Sequence, residues 1–328
     1  MITLSLLGEK KYIHYFLIAA AIAFFLCLPE VLSIYGVTLL TGIFIYSIFS
    51  MSLNLLIGYL GYTSLGHATF FGVGGYALAL LILKGGFQNF FFCIVVTLII
   101  AAILSFLLGL VAMTVSGIYF MMITLAIGQV FWALVWSWKS VTGGDDGLPG
   151  ISRPILTVFG RRWPLSNEIT FYYLIFIVLI LCLVLTYLIV KSPFGRALLG
   201  IRNNEMRMRA LGYNTWRYKY FCYAIAGIFG SLAGALKVYQ DCFISASSAS
   251  IVQSGLVLLT VIIGGSRIFL GPVVGAFIIQ IIANIVSSYT EYWLTIMGSA
   301  LILSVMFFPE GVTGYVIGKI KPKGHDDW

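Results

Sequence analysis

Charge is what this chain has least of. Asp, Glu, Lys and Arg make up 9% of its 328 residues, against 61% hydrophobic. The mean hydropathy is +1.04. A soluble domain carries roughly 25% charged residues, so too few polar side chains are present to cover a water-facing surface. Acid is scarcer than base, with 11 Asp and Glu against 19 Lys and Arg. Acids are nearly missing from the apolar runs, which speaks against an ion-coupled carrier that holds H⁺ or Na⁺ on buried carboxylates. The five cysteines, Cys27, Cys93, Cys182, Cys222 and Cys242, are scattered without C-x-x-C spacing, so neither a zinc site nor a disulfide framework is indicated. No H-E-x-x-H occurs. No G-x-x-x-x-G-K-[ST] phosphate loop occurs either, and Gly318-Lys319 is followed by Ile320. These absences leave no metal, nucleophile or nucleotide machinery for a membrane enzyme or a self-powered pump.

Long apolar segments are what is there. About 20 apolar residues cross a ~30 Å hydrocarbon layer as a helix, and the strict alternation of a lipid-facing barrel is absent. The expected fold is an all-α polytopic membrane protein, one transmembrane domain over 1–328 with about ten spans. They fall near 12–28, 33–57, 65–83, 90–114, 118–138, 170–190, 218–240, 251–265, 272–287 and 292–308. Lys10 and Lys11 before an apolar run imitate a signal peptide. No small-x-small site follows, and Leu28-Pro29-Glu30 leads straight into another apolar segment, so the run reads as a retained first span.

The net charge of +8 resides in loops and tails, where it sets topology and meets anionic headgroups; it does not call for nucleic acid. With both termini and the 191–219 loop on one side, that side holds thirteen basic residues and the other six. The positive-inside rule then predicts both termini in the cytosol. The loop 139–169 is external. It is rich in Gly and Pro, with Asp145 and Asp146 between glycines, and reads as a solvated turn or a cap over an external mouth.

Glycine interrupts two spans. Residues 58–75 hold six glycines, and Gly264-Gly265-Ser266 with Gly271-Pro272 makes a second break. Non-helical backbone at membrane depth is tolerated where it is buried in protein or lines a water-filled cavity. Two breaks in two halves also fit an inverted repeat. The candidates for the translocation path are therefore Asn54, Ser64, Gly66, His67 and Gln129. Each has a plainer reading as a bridge between helices, with His67 a neutral imidazole bonded to a neighbour. Trp132, Trp136 and Trp138 suit the headgroup level. Lys237 and Asp241, four apart on a helix, are placed to pair.

The segment 191–219 carries seven of the nineteen basic residues and one acid, Glu205. A short helix is expected at 204–211, capped by Asn203. Glu205 sits at its positive end and Arg207 and Arg209 towards its negative end; Gly212 stops it. Met206, Met208, Ala210 and Leu211 offer adaptable apolar contact to a soluble partner. The plainer reading is a basic loop held against headgroups.

The chain resembles the LivM-type permease subunits of branched-chain amino acid ABC transporters. The blocks that carry the likeness run in family order: 54–76 (NLLIGYLGYTSLGHATFFGVGGY), 117–128, 142–154 (TGGDDGLPGISRP), 192–213, 230–236, 264–276 and 308–314 (FPEGVTG). The resemblance implies half of a heterodimeric pore in a bacterial inner membrane. It implies a LivH-like second permease, two cytosolic LivG/LivF-like ATP-binding subunits and a periplasmic substrate-binding protein. It makes the 204–211 helix the coupling element, with Asn203, Glu205, Met206, Arg207, Arg209, Ala210 and Gly212 as its residues. This chain would itself be no enzyme and carry no cofactor. Thr63 and Arg267 depart from the family's usual Gln and Gly, and Met206 and Arg207 replace the alanines of its Glu-Ala-Ala loop. Urea and short-chain amide permeases are similar, so they are the alternative substrates; an ion-coupled secondary transporter is the more distant one.

Overall fold

A computed structural model of the chain describes residues 23–158, 161–307 and 311–320. In hydrocarbon every backbone polar group must be satisfied within the segment, which forces apolar runs into helices. Among the described residues, 23–31 are helical, α1. There follow α2 (Ile34–Asn54), α3 (Ala68–Leu83), α4 (Phe90–Ala112), α5 (Ile118–Ser137) and the single turn α6 (Lys139–Thr142). The second half holds α7 (Glu168–Lys191), α8 (Pro193–Asn203), α9 (Glu205–Ala210), α10 (Thr215–Asp241), α11 (Ile251–Gly264), α12 (Gly271–Tyr289), α13 (Trp293–Phe307) and α14 (Gly311–Ile320). Among the described residues six helices are long and apolar enough to cross a membrane, α2 being counted with its π-helical extension; α3, α11 and α13 are shorter apolar helices. The predicted span 12–28 lies largely outside the described residues.

Ser and Asn begin these helices for a physical reason. Their side chains accept a first-turn N–H that has no partner inside the helix. Ser33, Asn89, Asn167, Ser192, Asn214 and Ser250 each do so for α2, α4, α7, α8, α10 and α11.

Burial sorts the helices. The most apolar, α4 and α7, are mostly unenclosed by protein, as are α5 and α12; α2 and α10 are mostly buried and form the centre. There α3 and α10 cross at backbone contact. A Cβ on Gly74 would strike the carbonyl of Ser231, and one on Gly234 the carbonyl of Phe71. Small residues at a crossing let the backbones meet and gain dispersion contact in a setting with no hydrophobic drive. Phe44, Tyr172, Phe176 and Phe277 close the core between α2, α7 and α12.

Hydrogen bonds identify the two ends of the bundle. At one end Arg153 donates to the carbonyls of Tyr239 and Gln240, both at 2.6 Å, and to Glu168 at 2.7 Å. Lys84 reaches the Ser140 carbonyl there, and Gln240 that of Thr38. This end also carries β1 (Leu148–Pro149) paired with β4 (Phe243–Ile244), and the hairpin β2 (Ile155–Val158) to β3 (Arg161–Pro164), which makes it the hairpin end. The opposite, or loop, end carries α8 and α9.

Candidate functional site

The loop end is built on a turn that the sequence announces. Ser192 accepts from Gly195 N–H and Pro193 occupies the first turn, so a new helix starts where α7 stops. That helix, α8, buries Gly195, Ala197, Leu198 and Ile201 against the bundle. Asn203, expected to cap the coupling helix, is instead the last residue of α8. The cap is Asn204, which accepts from Arg207 N–H at 2.9 Å and is extended at φ −161°. The reason is α8 itself, which runs one residue further than a free loop would. Gly212 stops α9 in the left-handed region at φ 85°, and the Tyr213 N–H closes on the Met208 carbonyl.

α9 presents two faces. Met206, Arg207, Arg209 and Ala210 are exposed, Met206 by 79%. Met208, expected as a contact residue, turns inward and packs on Gly200 of α8. Glu205 points into the bundle. One carboxylate oxygen accepts from Arg209 at 2.6 Å, Lys219 at 2.9 Å and Thr215 at 3.0 Å; the other accepts from Tyr62 at 3.3 Å. Lys219 is 4% exposed and also donates to the Tyr62 hydroxyl. Burial by itself pushes the Glu205 carboxyl up. The hydrogen bonds from Lys219 and Arg209, the Lys219 charge and the Thr215 bond outweigh it and hold the carboxyl at about 2. Glu205 is therefore an anion that ties α9 to the first turn of α10. Beside it, Arg196, Arg202 and Arg267 border a cavity of about 440 Å³. Burial and the neighbouring Arg267 both lower the Arg202 pKa.

The broken helix lies above this end. α2 continues as a π-helical turn, Leu55–Leu60, and stops at Gly61 with φ 81°. The chain then runs without regular structure to α3. Asn54, Ser64, Gly66 and His67 lie along this break, and the three side chains are buried. A Cβ on Gly66 would strike the Thr124 carbonyl of α5. His67 shares a 2.7 Å hydrogen bond with Ser52, stacks on Phe49 and meets the edge of Phe70. His67 is thus a packed imidazole bonded to Ser52 of α2. Gln129 stands apart from this group, on the exposed face of α5.

A cavity of about 670 Å³ opens at the hairpin end. Tyr46 and Phe71 form part of its floor; Ser247, Ser250 and Gln253 its polar side; Trp132, Trp136 and Trp293 its rim. Lys237 and Asp241 face it and pair at 2.9 Å, and Asp145 of the 139–169 loop reaches it. None of the path residues expected from the sequence lines it; its serines lie in the short segment between α10 and α11, which carries no glycine break or buried charge to single it out. Among the described residues no group of three His, Cys, Asp or Glu is placed to hold a metal ion.

A bundle of apolar helices, a polar mouth at one end, a helix broken below it and a short exposed helix pinned at the far end define a polytopic membrane permease. The chain belongs to the family described as branched-chain amino acid transport system / permease component, matched over residues 35–308. It is 27% identical to the high-affinity branched-chain amino acid transport system permease protein LivM of Escherichia coli K12, over 90% of this chain and 74% of that one. A probable branched-chain amino acid transport permease LivM of Methanocaldococcus jannaschii is 26% identical over 85% and 90%. An autoinducer 2 import permease, LsrC of Photorhabdus laumondii, is 23% identical over 56% and 54%. None of the solved structures gives a significant match.

Proposed function

We propose that this chain is half of the pore of an ABC importer for branched-chain amino acids. In this reading the hairpin end faces the periplasm of a bacterial inner membrane and takes substrate from a binding protein. The loop end and both termini are cytosolic. A LivH-like permease completes the pore, and two LivG/LivF-like subunits hydrolyse ATP. The observation that carries the reading is α9: a helix with exposed Met206, Arg207, Arg209 and Ala210 and a half-buried anchor at Glu205 suits docking to a soluble partner.

The cavity at the hairpin end suits arrival of a small zwitterion, because its charges and hydroxyls are held where α2, α10 and α11 converge. Asn54, Ser64, Gly66 and His67 shape the path from within its wall. Gln129, on the outer face of α5, meets the path or the second permease where two subunits join. The relatives' printed transport of branched-chain amino acids favours those substrates over urea. Affinity purification from native membranes tests the assembly: a second permease and two ATP-binding subunits are expected with the chain. Recovery of the chain alone, or with unrelated proteins, argues against it.

A further inference from the structure

The lower end of α2 is held in an unusual shape from two sides. Leu55–Leu60 winds as a π turn, and the Tyr62 N–H returns to the Leu56 carbonyl at 2.9 Å. Such turns carry an extra residue relative to an α-helix, are rare, and occur at functional sites. The first grip is Arg202, the next-to-last residue of α8. Its guanidinium donates to the carbonyl of Gly58 inside the π turn. Its Cγ lies where a Cβ on Gly61 would approach within 2.8 Å. The second grip is Tyr62, just past the turn. It accepts from Lys219 at 3.2 Å and donates to Glu205 of α9. The buried Lys219 ammonium is met there by Glu205 and Tyr62, the partners that burial of such a group requires. Displacement of α9 therefore pulls on Tyr62 through Glu205, and displacement of α8, on which Met208 of α9 packs, pulls on Gly58 through Arg202.

The segment beyond the turn gives that pull a consequence. Removing one residue from a π turn to make an α turn rotates the chain beyond it by about 100°. There lie Gly61, the hinge, and then Ser64 to His67, wedged against the Thr124 carbonyl and Ser52. The other break touches the turn too, since a Cβ on Gly58 would strike the carbonyl of Ser266 between α11 and α12.

We propose that Tyr62, Lys219 and Arg202 are positioning residues that carry displacement of α9 to the π turn, and that this turn is the part of α2 that changes shape during transport. The proposal rests on the reading of α9 as the ATPase-docking helix. The test uses the assembled importer in proteoliposomes, with binding protein and leucine. Leucine uptake per ATP hydrolysed is measured for wild type, Lys219→Met, Tyr62→Phe and Lys219→Arg. Hydrogen exchange of residues 55–67 is followed with and without a non-hydrolysable ATP analogue.

Wild type is expected to change exchange over 55–67 on nucleotide binding. Lys219→Met and Tyr62→Phe are expected to keep ATP hydrolysis and lose at least about fivefold in uptake per ATP, the loss of about one buried polar contact. The nucleotide response over 55–67 is lost with it, and Lys219→Arg recovers part of both. Tyr220→Phe, which removes a hydroxyl bonded to Phe106 of α4, is expected to leave the ratio unchanged. If Lys219→Met does not assemble, Tyr62→Phe decides. An unchanged uptake ratio and an unchanged exchange response in Tyr62→Phe overturn the proposal. A wild-type assembly without ATP-driven uptake overturns the permease reading instead.

Discussion

The hydroxyl of Ser254 accepts the backbone N–H of Ala68 at 3.0 Å. One residue lies near the start of α11 and the other opens α3, so α11 supplies the acceptor that this buried N–H of α3 lacks within its own helix. That one bond does for α3 what a local Ser or Asn cap does for α2, α4, α7 and α10. The His67 side chain, which precedes α3, makes no capping bond. Ser254→Val should therefore orphan a buried amide and cost about 1–3 kcal/mol. A lowered thermal midpoint in detergent for Ser254→Val, with Ser254→Thr closer to wild type, checks it.

Arg153 joins the 139–169 loop to α7 and α10 through Glu168 and two carbonyls, and lies 4.7 Å over the ring of Phe171. Arg153→Met removes every bond and leaves Glu168 and two carbonyls short of partners. The expected cost is about 3 kcal/mol, with faster protease cleavage in 143–158. Arg153→Lys should recover only part, because an ammonium lacks the planar fork.

Gly74 faces the Ser231 carbonyl at the α3–α10 crossing, whereas a Cβ on Gly255 meets nothing within 4 Å. Gly74→Ala is expected to destabilise by about 1–3 kcal/mol through overpacking, and Gly255→Ala to be silent. The yield of monodisperse protein on size exclusion compares them. Equal yields would contradict the backbone contact.

Glu205 supplies the pH dependence. Its carboxyl is held at about 2 in the fold against an ordinary 4.5. A depressed carboxylate contributes stability above its unfolded value and loses it as pH falls towards the folded one. Docking of α9 should therefore be constant from neutral pH down to about 5 and loosen between about 4.5 and 2. Hydrogen exchange over 205–215 follows it, with Glu205→Gln as the variant that lacks this dependence.

The long spans are legible in the sequence because lipid permits one answer to an apolar run. The predicted 90–114, 118–138 and 251–265 are helices Phe90–Ala112, Ile118–Ser137 and Ile251–Gly264. The broken segment is legible from its glycines, and Lys237 with Asp241 from their spacing. α8 is hidden, although Ser192-Pro193 is a start signal, because its charged face makes 191–203 look like loop. The same disguise shifts the expected cap from Asn204 to Asn203. The partners of Glu205 are illegible for a different reason. Tyr62 is 143 residues away, and no local pattern brings a tyrosine beyond a π turn to α9. His67 is visible as an ionisable group in an apolar span, but its packing on Phe49 is not. Gln129 looks like its companion, and helix rotation places it on the outer face.

ATP-driven uptake through a binding protein separates a permease subunit of an importer most sharply from a self-contained carrier. The measurement is leucine uptake by proteoliposomes holding the chain with its second permease and ATP-binding subunits, with binding protein outside and ATP inside. Uptake is expected to require ATP and the binding protein, and to be lost in Gly212→Val, where a β-branched residue cannot hold the φ of 85° that ends α9. Uptake driven by a proton or sodium gradient without ATP, and unaffected by Gly212→Val, would contradict it.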